Sequence, residues 1–463
     1  MNEKTGGSAH SAPKPGVRVT GLDAEDLRSL FDHPALSSNL QSAIRHVTNL
    51  RDCVSAEDFY RFQRQLLSDA YLVDNRRAES TKAAKRLRHG RVVPPGIEPP
   101  HDGAATDAVA WEREAFVHER LFRQLRAIGD GLAWRVFEYD RTIIAALSSN
   151  KSPGPLVKQA GSLDDDATGL TTELRRIDEV WNERKHFALH HDLTNCLRIG
   201  DLTEVESPGR YLLHEVKTNP NNRSSTQHER MRVAVRSIVS GGPLPSSGRR
   251  VIELNQTYRT DLQKLIDLVA LARQHGVKAA KLEHGRALVV TSFTDLERVT
   301  VGNVDDGRAR FDSARRSALR RTGIDTDTHH LRGVSGDLAA RAPLLPPWAI
   351  YPLRPEECAG LICDAIVFEV VVSTAALARL LELQGLAVEV LAGTGELDAH
   401  AGVFRISHGN RVLNVYPNSI SSLFYELLHP AVWAEGTAEL IRRPIPMTDV
   451  MHRYRNDHAP WLP

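Results

Sequence analysis

Cysteine is scarce in this chain. Four residues in 463, Cys53, Cys196, Cys358 and Cys363, are too few and too scattered for a disulfide framework, and none forms a C-x-x-C pair of the zinc-binding kind. Such usage suits a reducing compartment, so a cytoplasmic location is expected. Long apolar runs are missing as well. The N-terminus, MNEKTGGSAHSAPKPG, has no apolar core of signal-peptide length, and the most apolar later stretch, Ala365 to Val372, is short and carries Glu369. No membrane partner is expected. Nor is there an excess of charge of one sign: 59 Lys+Arg stand against 58 Asp+Glu, which excludes a protein held to polyanions by bulk charge and leaves only local clustering. Within the cations lysine is the rare one, at 11 residues of the 59. What is present, 41% hydrophobic and 25% charged residues with only 24 prolines, is the composition of a folded chain long enough for two or three packed domains.

Residues 1–17 are rich in Gly, Ser, Pro and Lys without periodicity and read as a disordered leader. From 18 to 165 apolar positions such as Leu27, Leu30 and Phe31, then Phe59, Phe62, Leu66 and Leu67, recur at three and four residues, which predicts a helical region. The pattern changes near residue 166. A helix with Leu170, Leu174, Ile177 and Trp181 on one face precedes two alternating segments, CLRIGDLTEV and RYLLHEVKT. A helix from Gln227 to Val239, an amphipathic helix from Thr260 to His275 and a strand from Arg286 to Phe293 complete an α/β domain ending near residue 300. The stretch 301–345, rich in Arg, Asp and Gly, reads as a linker or insertion. Residues 346–463 give a second α/β domain, with a strand AIVFEVVVS and a hairpin turning on Gly409-Asn410. The expected fold class is multidomain α/β.

The informative segment is Gly200-Asp201, thirteen residues, and then Glu215-Val216-Lys217. Metal-dependent phosphodiester cleavage needs acidic ligands for a hard divalent cation and a cationic group to activate water or steady developing charge. Two acids and a lysine supply these, provided they meet. Ser207-Pro208-Gly209 suits a hairpin loop with glycine at the left-handed position. Centring that loop on Pro208 places Asp201 directly opposite Glu215, with β-carbons roughly 5 Å apart, and Glu215 and Lys217 on one strand face. The other acid-x-Lys triplet, Glu183-Arg184-Lys185, falls in a helix, where such residues point apart. His186, His190 and His191 read as a histidine-rich helix end, and the cationic stretches 76–91 and 308–321 as solvated helix faces with the capacity to track phosphates.

Asp201, Glu215 and Lys217, with the helix before them and the helix after, resemble the PD-(D/E)xK nuclease superfamily over residues 168–295. Glycine at position 200 stands where the family name has proline. The resemblance implies a restriction-endonuclease-like mixed sheet flanked by helices. It implies Mg²⁺, or Mn²⁺, on Asp201, Glu215 and the Val216 carbonyl, with Lys217 acting on the attacking water. Glu173 is the supporting acid on the preceding helix, and Gln227 and Arg230 are the supporting residues on the following one. The implied activity is that of a DNA endonuclease, of a kind found in restriction and phage defence, with the flanking regions selecting substrate, a protein partner or a second copy. The competing expectation is a nuclease fold without cleavage, its acids salt-bridged to arginine, working as a nucleic-acid-binding or assembly module.

Overall fold

The computed structural model describes residues 33–149, 154–156, 169–216, 225–324, 330–336, 344–391, 395–396, 402–443 and 450–462. The expected leader lies outside them, and so does Lys217.

Four helices come first: α1 (Pro34–Asp52), α2 (Ala56–Arg88), α3 (Ala108–Val136) and α4 (Arg141–Leu147). Their starts are written locally. Ser55 and Asp58 form a reciprocal capping box on α2, while Asp107 and Asp140 accept the Val109 and Thr142 amides. The 33-residue α2 is stabilised by packing along α3, where three arginines of its cationic stretch find carboxylates. Arg76 pairs with Glu114, Arg77 with Glu119 and with Asp74 on its own helix, and Arg88 with Glu112.

Next come α5 (Gly169–Arg184) and an antiparallel meander of β1 (Phe187–His190), β2 (Leu202–Ser207) and β3 (Arg210–His214), followed by α6 (Ser225–Ser240) and β4 (Arg250–Thr257). The chain continues through α7 (Leu262–His275), β5 (Val277–Leu282), β6 (Arg286–Ser292), α8 (Phe293–Val299), α9 (Val304–Thr322) and β7 (His330–Val334). It ends with α10 (Pro355–Ile362), β8 (Ile366–Ser373), α11 (Thr374–Leu383), β9 (Ala387–Val390), β10 (Gly395–Glu396), β11 (Phe404–His408), β12 (Arg411–Val415), α12 (Pro417–Tyr425), α13 (Pro430–Arg442) and β13 (Val450–Arg455).

The mixed α/β character agrees with expectation, but the boundaries do not. A five-stranded sheet runs in the order β10-β7-β8-β6-β5, so β6, before residue 300, pairs along its length with β8, beyond residue 346. The stretch 301–345 is no linker. Its helix α9 lies across β5 and β6, burying Ala318 and Leu319, and β7 is an inner strand of the same sheet. Its composition misleads because only one narrow stripe of α9 is apolar, the rest being solvent-facing arginine and aspartate. The last strand, β13, pairs in parallel with β4 some two hundred residues earlier, and one contiguous core runs from Ala43 to Trp461.

Among the described residues no helix is long and apolar enough to cross a membrane. All four cysteines are free, and burial pushes the Cys53 thiol up to about 11 and those of Cys358 and Cys363 up to about 12.

Candidate active site

The β2–β3 pairing follows the expected register: Leu202 faces His214, Thr203 faces Leu213 and Val205 faces Tyr211. The chain reverses at Pro208-Gly209, with Gly209 in the left-handed region at φ +76° and the register slipping by one residue next to the turn. Both acids sit one residue beyond the strand ends, where the regular ladder stops at the Leu202–His214 pair. The Asp201 amide donates to the His214 carbonyl at 2.8 Å, and the Val216 amide donates to Asp201 Oδ2 at 2.6 Å. The Asp201 carboxylate thus holds the chain leaving β3 at the mouth of the hairpin, and Glu215 is near enough for its charge to act on Asp201.

Position 200 shows why proline is absent. Gly200 has φ +78°, which a pyrrolidine ring, locked near −65°, cannot adopt, and an added Cβ would press on the His214 carbonyl at 3.1 Å. His191 holds this bend. Its Nδ1 donates to the Gly200 carbonyl at 3.0 Å and its Nε2 accepts from the Thr203 hydroxyl at 2.7 Å, while burial drives its pKa down to about 3 and keeps the ring neutral.

The expected histidine-rich helix end is a strand instead. Helix α5 stops at Arg184, Lys185 turns the chain at φ +58°, and Phe187–His190 form β1, every residue buried. A distant side chain makes this possible: Gln63 of α2 donates to the Ala188 carbonyl and accepts the His190 amide, satisfying the outer edge of β1. The three histidines part company. His186 joins Glu204, together with Arg184 and His214, on a buried carboxylate three residues from Asp201. His190 Nε2 binds Glu173 at 2.8 Å. Glu173 is therefore turned inward, whereas Glu179 pairs with Arg175 and Arg176 outside.

These contacts create an electrostatic conflict. Burial, aided by the negative charges of Glu173, Glu215 and Asp192, raises the Asp201 carboxyl to about 6 even though the Val216 amide favours the charged form. Asp192, in a single 3₁₀ turn after β1, carries no motif by which sequence reasoning finds it. Gln227 and Arg230 lie half-buried near the start of α6, and Lys217 falls outside the described residues.

A divalent cation held by Asp201 and Glu215 would need donors beyond the side chains gathered there. Among the described residues, the His, Cys, Asp and Glu side chains that gather in threes within 4.8 Å are Glu283, His284 and His429, so no third such side chain joins Asp201 and Glu215 at that distance. The protein would supply two carboxylates and the Val216 carbonyl, with water completing the shell, which is the habit of Mg²⁺.

The raised carboxyl has a measurable consequence. A folded-state pKa above the unfolded value means that stability falls as pH rises from about 4 to about 6 and that the cost is fully present above it. Asp201→Asn keeps an oxygen for the Val216 amide and removes the charge. In EDTA at pH 8 it is expected to stabilise the protein by roughly 1–2 kcal/mol, after discounting for partial exposure, and the gain should vanish near pH 4. Thermal melts at the two pH values test this, and a destabilised variant at pH 8 would contradict it.

The loop from β1 to Asp201 is held by the N-terminal helices. In the last third of α3, Gly129 leaves room for the Leu193 carbonyl, which an added Cβ would strike, and Gly131 does the same for Ala349 and Leu50. Between them Asp130 accepts the Asn195 and Cys196 amides and the Asn195 side-chain amide at 2.7–3.0 Å. Asp130→Ala would orphan two backbone donors, at a cost of about 2–4 kcal/mol in denaturant unfolding. Asp130→Asn, retaining an acceptor, should lose less.

Compared with known protein families, curated proteins and solved structures, the chain finds no match.

Proposed function

We propose that this protein is a metal-dependent endonuclease that hydrolyses DNA phosphodiesters, with Asp201 and Glu215 as ligands of Mg²⁺ and Lys217 as the group that orients or deprotonates the attacking water. The observation that carries this reading is the Asp201 carboxyl at the mouth of the hairpin, which burial first and then the charges of Glu173, Glu215 and Asp192 leave protonated more readily than usual. An acid raised by burial, and further by like charges, is costly to keep unless something is to bind there. The order of elements adds support. Helix α5, the β1–β3 meander and α6 follow the sequence of helix, sheet and helix in the nuclease superfamily, with Glu173 of α5 turned towards the acids. The cation, when bound, would neutralise charge on the phosphate and lower the pKa of the attacking water. The protein's part is to hold the two carboxylates near one another, with Lys217 two residues after Glu215 in the sequence as the group acting on water.

Against the competing scaffold reading stands the neighbourhood of Asp201: the charges acting on it are acidic, not arginine. The test is to incubate the full chain with plasmid and linear DNA in Mg²⁺ or Mn²⁺ against EDTA, alongside Lys217→Ala. Cation-dependent product that the variant fails to make is expected. Equal product from both proteins would remove Lys217 from the mechanism.

A further inference from the structure

A second cluster stands apart from the carboxylates of the hairpin, where the β5–β6 turn meets the chain entering α13. The turn is Glu283-His284-Gly285, closed by the Leu282–Arg286 pair. Glu283 is exposed, His284 half-buried, and His429, the residue before α13, buried. Glu283 Oε2 lies 3.0 Å from His429 Nε2 and 3.9 Å from His284 Nε2, and the two imidazoles meet edge to face with centroids 5.0 Å apart. One ligand atom from each residue falls within 4.8 Å of the other two. A tetrahedral ion at about 2.0–2.1 Å from its ligands separates them by about 3.4 Å, so the cluster is already close to the required spacing. His284 holds its place at φ +55°, a left-handed conformation that glycine or asparagine adopts at lower cost.

We propose that Glu283, His284 and His429 form a site for Zn²⁺ or a similar borderline transition-metal ion, a clip that fastens the β5–β6 turn to the segment before α13. Two imidazoles and one carboxylate select such an ion over Mg²⁺ and leave a fourth position for water. The inference does not depend on the nuclease reading, since it uses other residues and another class of metal.

One neighbour sets the conditions for loading. Arg259 Nη2 lies 3.0 Å from His429 Nδ1. Guanidinium only donates, so Nδ1 accepts and the ring proton sits on Nε2, directed at Glu283. Metal binding at Nε2 moves that proton to Nδ1, with no net proton release from the ring, and Arg259 must swing away. Its side chain is exposed and free to do so. The other cation close by, Arg286, is neutralised by Asp261 and donates to the Leu428 carbonyl. Arg259 therefore works as a latch that opposes the ion by charge and by tautomer.

Calorimetric titration of the metal-stripped full chain with Zn²⁺, with melts in parallel, tests the site. Wild type is expected to bind one ion with micromolar affinity, unaffected by millimolar Mg²⁺, and to gain several degrees in melting temperature. Glu283→Ala and His284→Asn should weaken binding at least tenfold. His284→Asn should also melt higher than wild type without metal, because asparagine relieves the left-handed backbone, so its loss of binding cannot be a folding defect. Arg259→Ala should bind several-fold more tightly. Absence of stoichiometric binding by wild type, or full binding by His284→Asn, would overturn the site. Binding by Arg259→Ala no tighter than that of wild type would overturn the placement of the ion on His429 Nε2.

Discussion

Glu215→Gln and Asp201→Asn are each expected to lower Mg²⁺-dependent DNA cleavage by on the order of 10³-fold or more, while both proteins stay folded. The size follows from the chemistry. Each substitution removes one of the two side-chain carboxylates assigned to the cation, which would supply both charge neutralisation and the nucleophile. The two losses should not add, because the carboxylates act as a unit. Cleavage of supercoiled plasmid under single-turnover conditions measures the effect. For Asp201 the sign of the stability change gives an independent reading. An acid kept for binding leaves a more stable protein when removed, whereas an acid kept as a structural partner leaves a weaker one. Activity lost together with stability gained is the combination expected; activity retained in both variants would dismiss the site.

Glu426→Ala carries the largest expected loss of stability, about 3–5 kcal/mol. Glu426 is almost wholly buried and takes the guanidinium of Arg141 on both oxygens together with the Tyr258 hydroxyl. Arg141 opens α4, Tyr258 follows β4, and Glu426 closes α12, so one carboxylate joins three distant parts of the chain. Deleting it leaves Arg141 buried between Trp134 and Tyr258 with Asp457 as its remaining carboxylate, and burial has already raised that acid to about 6. A buried charge stripped of its partner costs far more than the pair contributes by existing. Denaturant unfolding should show a lower midpoint with an unchanged slope, and a loss below about 1 kcal/mol would mean that water reaches Arg141.

The hairpin that carries the candidate site is legible from Ser207-Pro208-Gly209 alone, because turn chemistry and a two-residue period leave one register that pairs Leu202 with His214. Gly409-Asn410 is read in the same way, and His408 does pair with Arg411. Local rules fail where the partner is remote. Residues 187–190 look like a helix end until Gln63, more than a hundred residues earlier, satisfies their free edge. The strand β4 has its neighbour at β13, and neither segment advertises the other. Glu173 borders the apolar stripe of its helix, which hints at an inward direction, but only His190 fixes it there.

Because β6 and β8 belong to one sheet, synthesis leaves the protein exposed for a time. All seven residues of Arg286–Ser292 are buried in the finished fold, and one edge of that strand is covered by Ile366–Ser373. At roughly 5–20 residues per second, translation delivers β8 several seconds after β6. Until then the nascent chain presents a flat, apolar strand with an unpaired row of amides and carbonyls, the kind of edge that recruits other chains. A shortened gene ending near residue 300 would make that interval permanent, so its product should collect in inclusion bodies even though it contains every residue of the candidate nuclease site.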